Sequence, residues 1–155
     1  MDDALSLARE LNALLIQYVR VHDEIFSFSV RKLLPIPRIF KPIHYCTHKE
    51  TLSEVGHGLT SVLNRVRPVV IVPHSSPAER TFLLALEDYA GALSVTVERL
   101  RTISVELCRK SEGEGDYVYS TYERDMAEYN QLVERYRVLG IRLNSQLALL
   151  RAPAV

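Results

Sequence analysis

An apolar residue at every seventh position of the second half of the chain limits the folds open to this protein. The first ladder is Leu86, Leu93, Leu100 and Leu107, and the second is Tyr122, Tyr129, Tyr136, Leu143 and Leu150. Heptad spacing places such residues on one helix face, where they pack against another helix. Folding the chain back at the polar stretch 112–115 brings Leu86 opposite Leu143 and Leu100 opposite Tyr129. The pattern therefore predicts an antiparallel pair of long helices.

The N-terminal segment predicts another long helix, over residues 4–34. From Leu7 to Phe28 its apolar residues alternate spacings of four and three without a miss. This pattern is typical of a helix that packs along its whole length. Pro35 is expected to end it, because proline disfavours the helical conformation of the residue before it. Prolines at 35, 37 and 42 then predict an irregular crossover over residues 35–46.

The boundaries of the other helices follow from local signals. Residues 47–50 have the sequence of a capping box, so helix 2 is expected to begin there and to end at Pro68. The β-branched run 69–72 is expected to be an extended linker. Ser76 followed by Pro77 is a strong start signal for helix 3. Helix 3 is expected to end near residue 110, and helix 4 to run from about 117 to 151.

Together these elements predict an all-α protein, an antiparallel four-helix bundle with long helices and a Pro-rich crossover between helices 1 and 2. A chain of 155 residues is long enough to bury the core of one such domain, so residues 1–155 are assigned to a single helical-bundle domain. Helix 2 is the shortest of the four. If it leaves part of the bundle uncovered, a second copy of the chain is expected to fill the gap, so a homodimer is a further prediction.

Composition narrows the classes of function. The 19 basic residues equal the 19 acidic residues, and this balance disfavours a nucleic-acid binder, which usually carries a basic excess. No apolar run approaches the ~20 residues of a membrane span, and Asp2 and Asp3 stand where a signal peptide would carry bases. Cys46 and Cys108 are too few for a disulfide framework. We therefore expect a reducing, cytoplasmic location.

A basic and apolar segment, residues 25–45, is the first candidate for a partner-binding surface, because it contains no acidic residue. One interpretation is a crossover packed on the bundle, with its Arg and Lys side chains reaching outward to solvent. The other is a docking surface for an acidic protein, a nucleic-acid backbone or an anionic membrane, of which protein ranks first. The candidate residues are Arg31, Lys32, Arg38, Phe40, Lys41 and His44.

The tyrosines of helix 4 allow two interpretations as well. Tyr122 and Tyr129 belong to the heptad ladder, which favours packing in the core with hydroxyls at its rim. The alternative is an exposed aromatic strip that binds a partner, since tyrosine is enriched at interface hot spots. Both residues are retained as candidate partner-binding residues.

A possible metal site rests on Glu54 and His57. Their spacing is that of the Glu-x-x-His motif of ferritin-like di-iron bundles, in which both side chains project into the core. Those bundles need a second copy of the motif, and no other acidic residue here has a histidine three positions later. A mononuclear site formed by Glu54, His57 and His22 is the remaining form of this prediction.

No catalytic residue and no cofactor other than this metal ion are assigned. The sequence has no phosphate-binding loop, no GxGxxG pattern, and no Ser or Cys in a recognisable nucleophile context. It therefore predicts a non-enzymatic helical protein–protein interaction module: an adaptor, an assembly subunit or a regulator. A metal- or cofactor-binding four-helix bundle is the alternative, and a small nucleic-acid-associated helical subunit is the third hypothesis.

Overall fold

The computed structural model describes residues 2–31, 45–71 and 76–151. Its four helices are α1 (Asp2–Arg31), α2 (Tyr45–Ile71), α3 (Pro77–Ser111) and α4 (Tyr119–Arg151). No strand occurs in the described ranges. The predicted all-α four-helix bundle is confirmed.

Helix α3 lies at the centre of the packing, because it contacts each of the other three helices. The heptad leucines Leu86, Leu93 and Leu100 are fully buried, and Leu107 is partly buried against the same core. The second ladder is less deeply buried. Of its five members only Tyr129 is fully buried, whereas Tyr122, Tyr136, Leu143 and Leu150 are partly buried. Both ladders therefore face the core, as the spacing predicts. The ladder residues of α4 are less completely covered by neighbouring helices than those of α3.

The predicted register of the α3–α4 hairpin is also found. The hydroxyl of Thr96 donates a hydrogen bond to the Leu132 carbonyl, with 3.3 Å between the oxygens, across the seam. Gly140 lies against Tyr89, the position that the ladder register places opposite it. The turn contains Gly113 and Gly115 at φ +79° and +86°, a backbone conformation that disfavours residues with a side chain. Glycine at these two positions thus permits the reversal.

The start of α3 has the expected cap. The side-chain oxygen of Ser76 accepts a hydrogen bond from the backbone N–H of Glu79 at 3.2 Å, and Pro77 opens the helix. Proline fits there because its missing N–H would have no partner within the first turn.

Helix α2 is longer at both ends than the sequence predicts. It begins at Tyr45 rather than at 47, and it continues through Pro68 to Ile71. The predicted end at Pro68 is therefore wrong, as is the extended linker over residues 69–71. Pro68 and Asn64 are both exposed, so water can satisfy the carbonyl that loses its helical donor. Continuing the helix also packs Val69 and Val70 against the core.

Helix α1 carries the predicted seam, with Leu7, Leu11, Tyr18, Val21 and Ile25 all buried. The described part of α1 ends at Arg31, and residues 32–44 lie outside the described ranges. Most of the predicted crossover 35–46 therefore lies outside them too. Its last two residues, 45 and 46, are helical rather than irregular.

Candidate functional site

The seam between α1 and α4 is the open side of the bundle. Helix pairs α1–α2, α2–α3, α3–α4 and α1–α3 all have Cα atoms within 8 Å of each other, whereas no such pair joins the described parts of α1 and α4. In a closed bundle of this connectivity the first and last helices would be neighbours. We call the space between them the α1/α4 groove.

A bridge of tyrosine side chains spans the middle of this groove. The hydroxyl oxygens of Tyr18 and Tyr129 are 2.5 Å apart, and both residues are fully buried. The ring of Tyr136 meets Tyr18 edge-on at 6.0 Å between centroids, and Phe26 stacks on Tyr129 at 5.7 Å. Burial raises the pKa of Tyr18 and of Tyr129 above the usual range. Tyrosine is long enough to join helices whose backbones stay apart.

A cavity of ≈ 370 Å³ opens at the end of the groove where α1 and α3 begin and α4 ends. This volume is within the range of about 300–1,000 Å³ of ligand-binding clefts. Most of its lining is apolar, including Leu5, Leu11, Phe82, Leu143 and Leu147. The polar lining residues are Arg9, Asn12, Asn144 and Arg151. An apolar floor with a few polar groups is the usual composition of a recognition site.

Gly140 allows α4 to pack closely against Tyr89 beside this cavity. A Cβ atom built on Gly140 would lie 3.0 Å from Cε2 of Tyr89, so the ring occupies the space that a side chain would need. Burial raises the pKa of Tyr89 to about 12, with the nearby Tyr136 adding to the effect. At Gly91 no atom lies within 4 Å of the corresponding position. The two glycines therefore differ: Gly140 permits close packing, and Gly91 borders open space.

Two arginines line the cavity. Arg9 comes from α1 and Arg151 from the last turn of α4, and both line the cavity. Within the described parts of the chain, neither forms an ion pair. Elsewhere on α4, Arg142 pairs with Asp88 at 3.3 Å and Arg137 with Glu134 at 3.1 Å, whereas Arg135 also lacks an ion pair among the described residues. Among the residues that the structure describes, the lining of the cavity therefore contains two basic residues and no acidic one.

Exposed apolar side chains border the groove. Val19 on α1 is 37% exposed, and Ile141 on α4 is 70% exposed. Helical spacing places Val19 one turn beyond the cavity-lining Leu15, and Ile141 one turn before Asn144. Inside the groove, Leu15 and Leu147 are only partly buried. Apolar surface therefore continues from the cavity onto both rims.

The partner-binding surface predicted from residues 31–44 falls almost wholly outside the described residues. Arg31 is the last residue of α1. The remaining members, Lys32, Arg38, Phe40, Lys41 and His44, lie in the range that the structure does not describe. That surface stays a prediction.

The exposed aromatic strip is corrected for Tyr129. This residue is fully buried, and its hydroxyl is bonded to that of Tyr18, so a partner cannot reach it in this structure. Tyr122 is partly buried and packs against the core, with burial raising the pKa of its hydroxyl. The core interpretation of these tyrosines is the one that fits.

The three residues of the predicted metal site are not brought together. His57 is exposed and lines a groove between α2 and α3 with Ser94 and Glu98. His22 of α1 lies beside α4 instead, with its ring 6.0 Å from that of Tyr129. Glu54 is exposed. Among the described residues, a different set of three possible ligands has its atoms within 4.8 Å of one another, namely Cys46, Cys108 and Glu112. The mononuclear site from His22, Glu54 and His57 is therefore not formed in this arrangement.

The two cysteines, which were too few to predict a framework, are joined in a disulfide. Cys46 in the first turn of α2 bonds to Cys108 near the end of α3. The sequence gives no signal for this pairing, since the two positions become neighbours only when α2 and α3 pack antiparallel. The cysteine count therefore no longer argues for a reducing compartment, and the cytoplasmic location stays a prediction.

A polar network between α3 and α4 was also missed. Arg99 of α3 donates to Asp125 at 3.0 Å and to Glu128, and the Tyr117 hydroxyl donates to the other Asp125 oxygen at 2.9 Å. Asp125 is 6% exposed. Burial, followed by the hydrogen bond to Asp125, raises the pKa of Tyr117. The network fastens the turn end of the hairpin.

Comparison with known proteins identifies no relative: no family model, no curated protein and no solved structure matches this chain. None of the helices in the described ranges combines the length and the apolar character that crossing a bilayer requires.

Proposed function

We propose that this protein is a non-enzymatic interaction module that binds an amphipathic helix of a partner protein in the α1/α4 groove. The observation that carries the proposal is the open seam: no Cα atoms in the described parts of α1 and α4 come within 8 Å of each other. Partly buried Leu15, Leu143 and Leu147 are left facing the gap. A partner that covers them would complete the packing that the other seams already have.

The shape of the groove favours a helix as its occupant. It is bounded by two long helices, and its apolar lining at the cavity end comes from both of them, with Leu11 and Leu15 on α1 and Leu143 and Leu147 on α4. Helix-in-groove recognition uses apolar anchors at spacings of three and four residues, which insert between the side chains of the flanking helices. The cavity near Gly140 is large enough to accept one such anchor.

Charge indicates the composition of the partner helix. Arg9 and Arg151 have no ionic partner among the described residues, and they border the same cavity. Acidic side chains next to the anchor would face them. Complementary charge contributes chiefly to specificity and to the rate of association. An acidic amphipathic helix is therefore the partner of this proposal, in agreement with the acidic protein expected from the basic residues 31–44.

A pair of synthetic peptides tests this function. Both peptides carry the same leucine anchors at helical spacing, one with glutamates and one with lysines beside them. Fluorescence anisotropy is expected to show saturable binding of the glutamate peptide and at least roughly tenfold weaker binding of the lysine peptide, since ~1.4 kcal/mol corresponds to a factor of ten.

Matched variants locate the interaction. The double variant Arg9→Glu/Arg151→Glu should weaken binding of the glutamate peptide about tenfold or more. Arg135→Glu is the control, because Arg135 lies on the α3 side of α4. Equal binding of both peptides, or an equal loss in the control, would contradict the proposal. If the protein instead forms a dimer and Ile141→Glu dissociates it, a second copy of the chain is the occupant of the α1/α4 groove.

A further inference from the structure

Three possible metal ligands converge at the end of the bundle opposite the cavity. They are Cys46 in the first turn of α2, and Cys108 and Glu112 at the end of α3. One ligand atom from each lies within 4.8 Å of the other two. Glu112 is the C-cap residue of α3, and its backbone N–H donates to the Cys108 carbonyl at 3.1 Å, so the two residues lie one turn apart. Antiparallel packing of α2 on α3 places Cys46 beside them.

The chemistry of this set is that of a zinc ligand set. Zinc binds thiolate sulfur at about 2.3 Å and carboxylate oxygen at about 2.0–2.2 Å in tetrahedral geometry, which places a sulfur and an oxygen ligand about 3.5 Å apart. The Sγ atom of Cys46 is 3.6 Å from Oε1 of Glu112. A disulfide sulfur has no proton to donate, so this approach is not a hydrogen bond while the cysteines are joined. The distance from the carboxylate to this sulfur is therefore close to that between two ligands of one cation, and the two sulfurs have to separate when the disulfide is reduced.

Within the described ranges, the neighbouring bases are engaged elsewhere and do not compete for the carboxylate. Arg109 pairs with Glu106 at 3.6 Å, and the Lys110 ammonium donates to the Tyr117 carbonyl at 2.8 Å. Glu112 forms no ion pair with a basic side chain in the described ranges. It is exposed, so a cation can reach it, whereas Cys108 is 1% exposed and provides a ligand shielded from water.

We propose that Cys46, Cys108 and Glu112 bind a zinc-class divalent cation when the disulfide is reduced, so that disulfide and metal are alternative states of one site. A dithiol reductant supplies two electrons and two protons and becomes a disulfide itself, while Cys46 and Cys108 become thiols. The cation then displaces the two thiol protons to solvent and is bound by two thiolates and the Glu112 carboxylate. Water supplies the fourth ligand. In both states α2 is fastened to α3 at this end.

Zinc titration of reduced, metal-stripped protein in competition with a chromogenic chelator tests the proposal. The wild-type protein is expected to bind one Zn²⁺ per chain with micromolar or tighter affinity. Cys46→Ser should weaken binding at least about a hundredfold, and Glu112→Gln about tenfold. Glu114→Gln is the matched control, because Glu114 is an exposed carboxylate two residues away that is outside the ligand set. It should change affinity less than about twofold.

A second readout separates ligation from folding. Cobalt added to the reduced protein should give the thiolate-to-metal charge-transfer absorption, which oxidation of the cysteines should abolish. Circular dichroism of Cys46→Ser and Glu112→Gln should match that of the wild type, since neither residue belongs to the apolar core. Absence of stoichiometric zinc binding by the reduced wild type would overturn the proposal, as would unchanged affinity in a folded Cys46→Ser variant.

Discussion

A pair of buried tyrosine hydroxyls, with Tyr136 beside it, lies at the centre of the α1/α4 groove. Tyr18 and Tyr129 are both fully buried, and each hydroxyl finds its partner in the other at 2.5 Å. A buried hydroxyl without a partner loses its hydrogen bonds to water and gains nothing in return. The pair therefore stabilises α1 on α4 only while both members are present. The rings of Tyr18 and Tyr129 also supply apolar contact between α1 and α4, whose backbones are too far apart to pack directly.

Replacing Tyr18 by phenylalanine tests this pair. Tyr18→Phe keeps the ring but leaves the Tyr129 hydroxyl without that partner, so the free energy of unfolding should fall by about 1–2 kcal/mol. Urea denaturation monitored by circular dichroism measures the change. Tyr119→Phe is the control, since Tyr119 is 69% exposed. A Tyr18→Phe protein as stable as the control would show that the hydroxyl pair contributes nothing.

The buried tyrosines also predict how stability depends on pH. Burial raises the pKa of Tyr18, Tyr129 and Tyr89, the last from 10.0 to about 12. Between these values the unfolded chain releases tyrosine protons that the folded chain retains, so stability falls as pH rises. Urea midpoints should be flat below pH 9 and should decrease steadily above pH 10. The decrease should be shallower in Tyr18→Phe. Midpoints that stay constant from pH 9 to 11 would contradict this assignment.

At the scale of helices, the hairpin of α3 and α4 depends on a partly buried ionic contact near its turn. The side chain of Arg99 is 24% exposed and faces the side chain of Asp125, which is 8% exposed. The Nε atom of Arg99 is buried and has no hydrogen-bond partner within the described residues. The carboxylate of Asp125 is therefore the main compensation for burying this guanidinium.

Neutralising Asp125 should loosen the hairpin. Asp125→Asn leaves a partly buried arginine without the more deeply buried of its two counter-charges and weakens the hydrogen bond from Tyr117, so we expect a loss of about 2–3 kcal/mol in unfolding free energy. Glu128→Gln removes the other carboxylate that Arg99 contacts, but its side chain is 53% exposed. That control should cost less than about 1 kcal/mol. Equal losses in the two variants would show that burial of Asp125 does not matter.

The helices themselves were largely predictable, because their signals are local. Heptad leucines, the Ser76 cap and the glycine turn each act within a few residues of the chain. The end of α2 was mispredicted because Pro68 is tolerated where its carbonyl partner is exposed. The disulfide was missed because it depends on which helix ends become neighbours, and spacing along one helix does not determine that.

At the scale of the whole molecule, the bundle has three closed seams and one open seam. Helix α4 packs on α3 but approaches α1 only through long side chains. Within α4 just two residues, Asp125 and Tyr129, are buried. The sequence indicated apolar residues along α4 but not which of them lack a neighbour. Arg9 and Arg151 come from opposite ends of the chain, so no motif could have joined them at one cavity.

Mapping where the glutamate peptide binds would test the central claim most directly. Amide chemical shifts of the isotope-labelled protein should change at Leu15, Gly140 and Leu147, which line the cavity end of the α1/α4 groove. Those of His57 and Ser94, in the groove between α2 and α3, should stay constant. Shift changes centred on His57 and Ser94, or no changes at saturating peptide, would contradict the assignment of the α1/α4 groove as the recognition site.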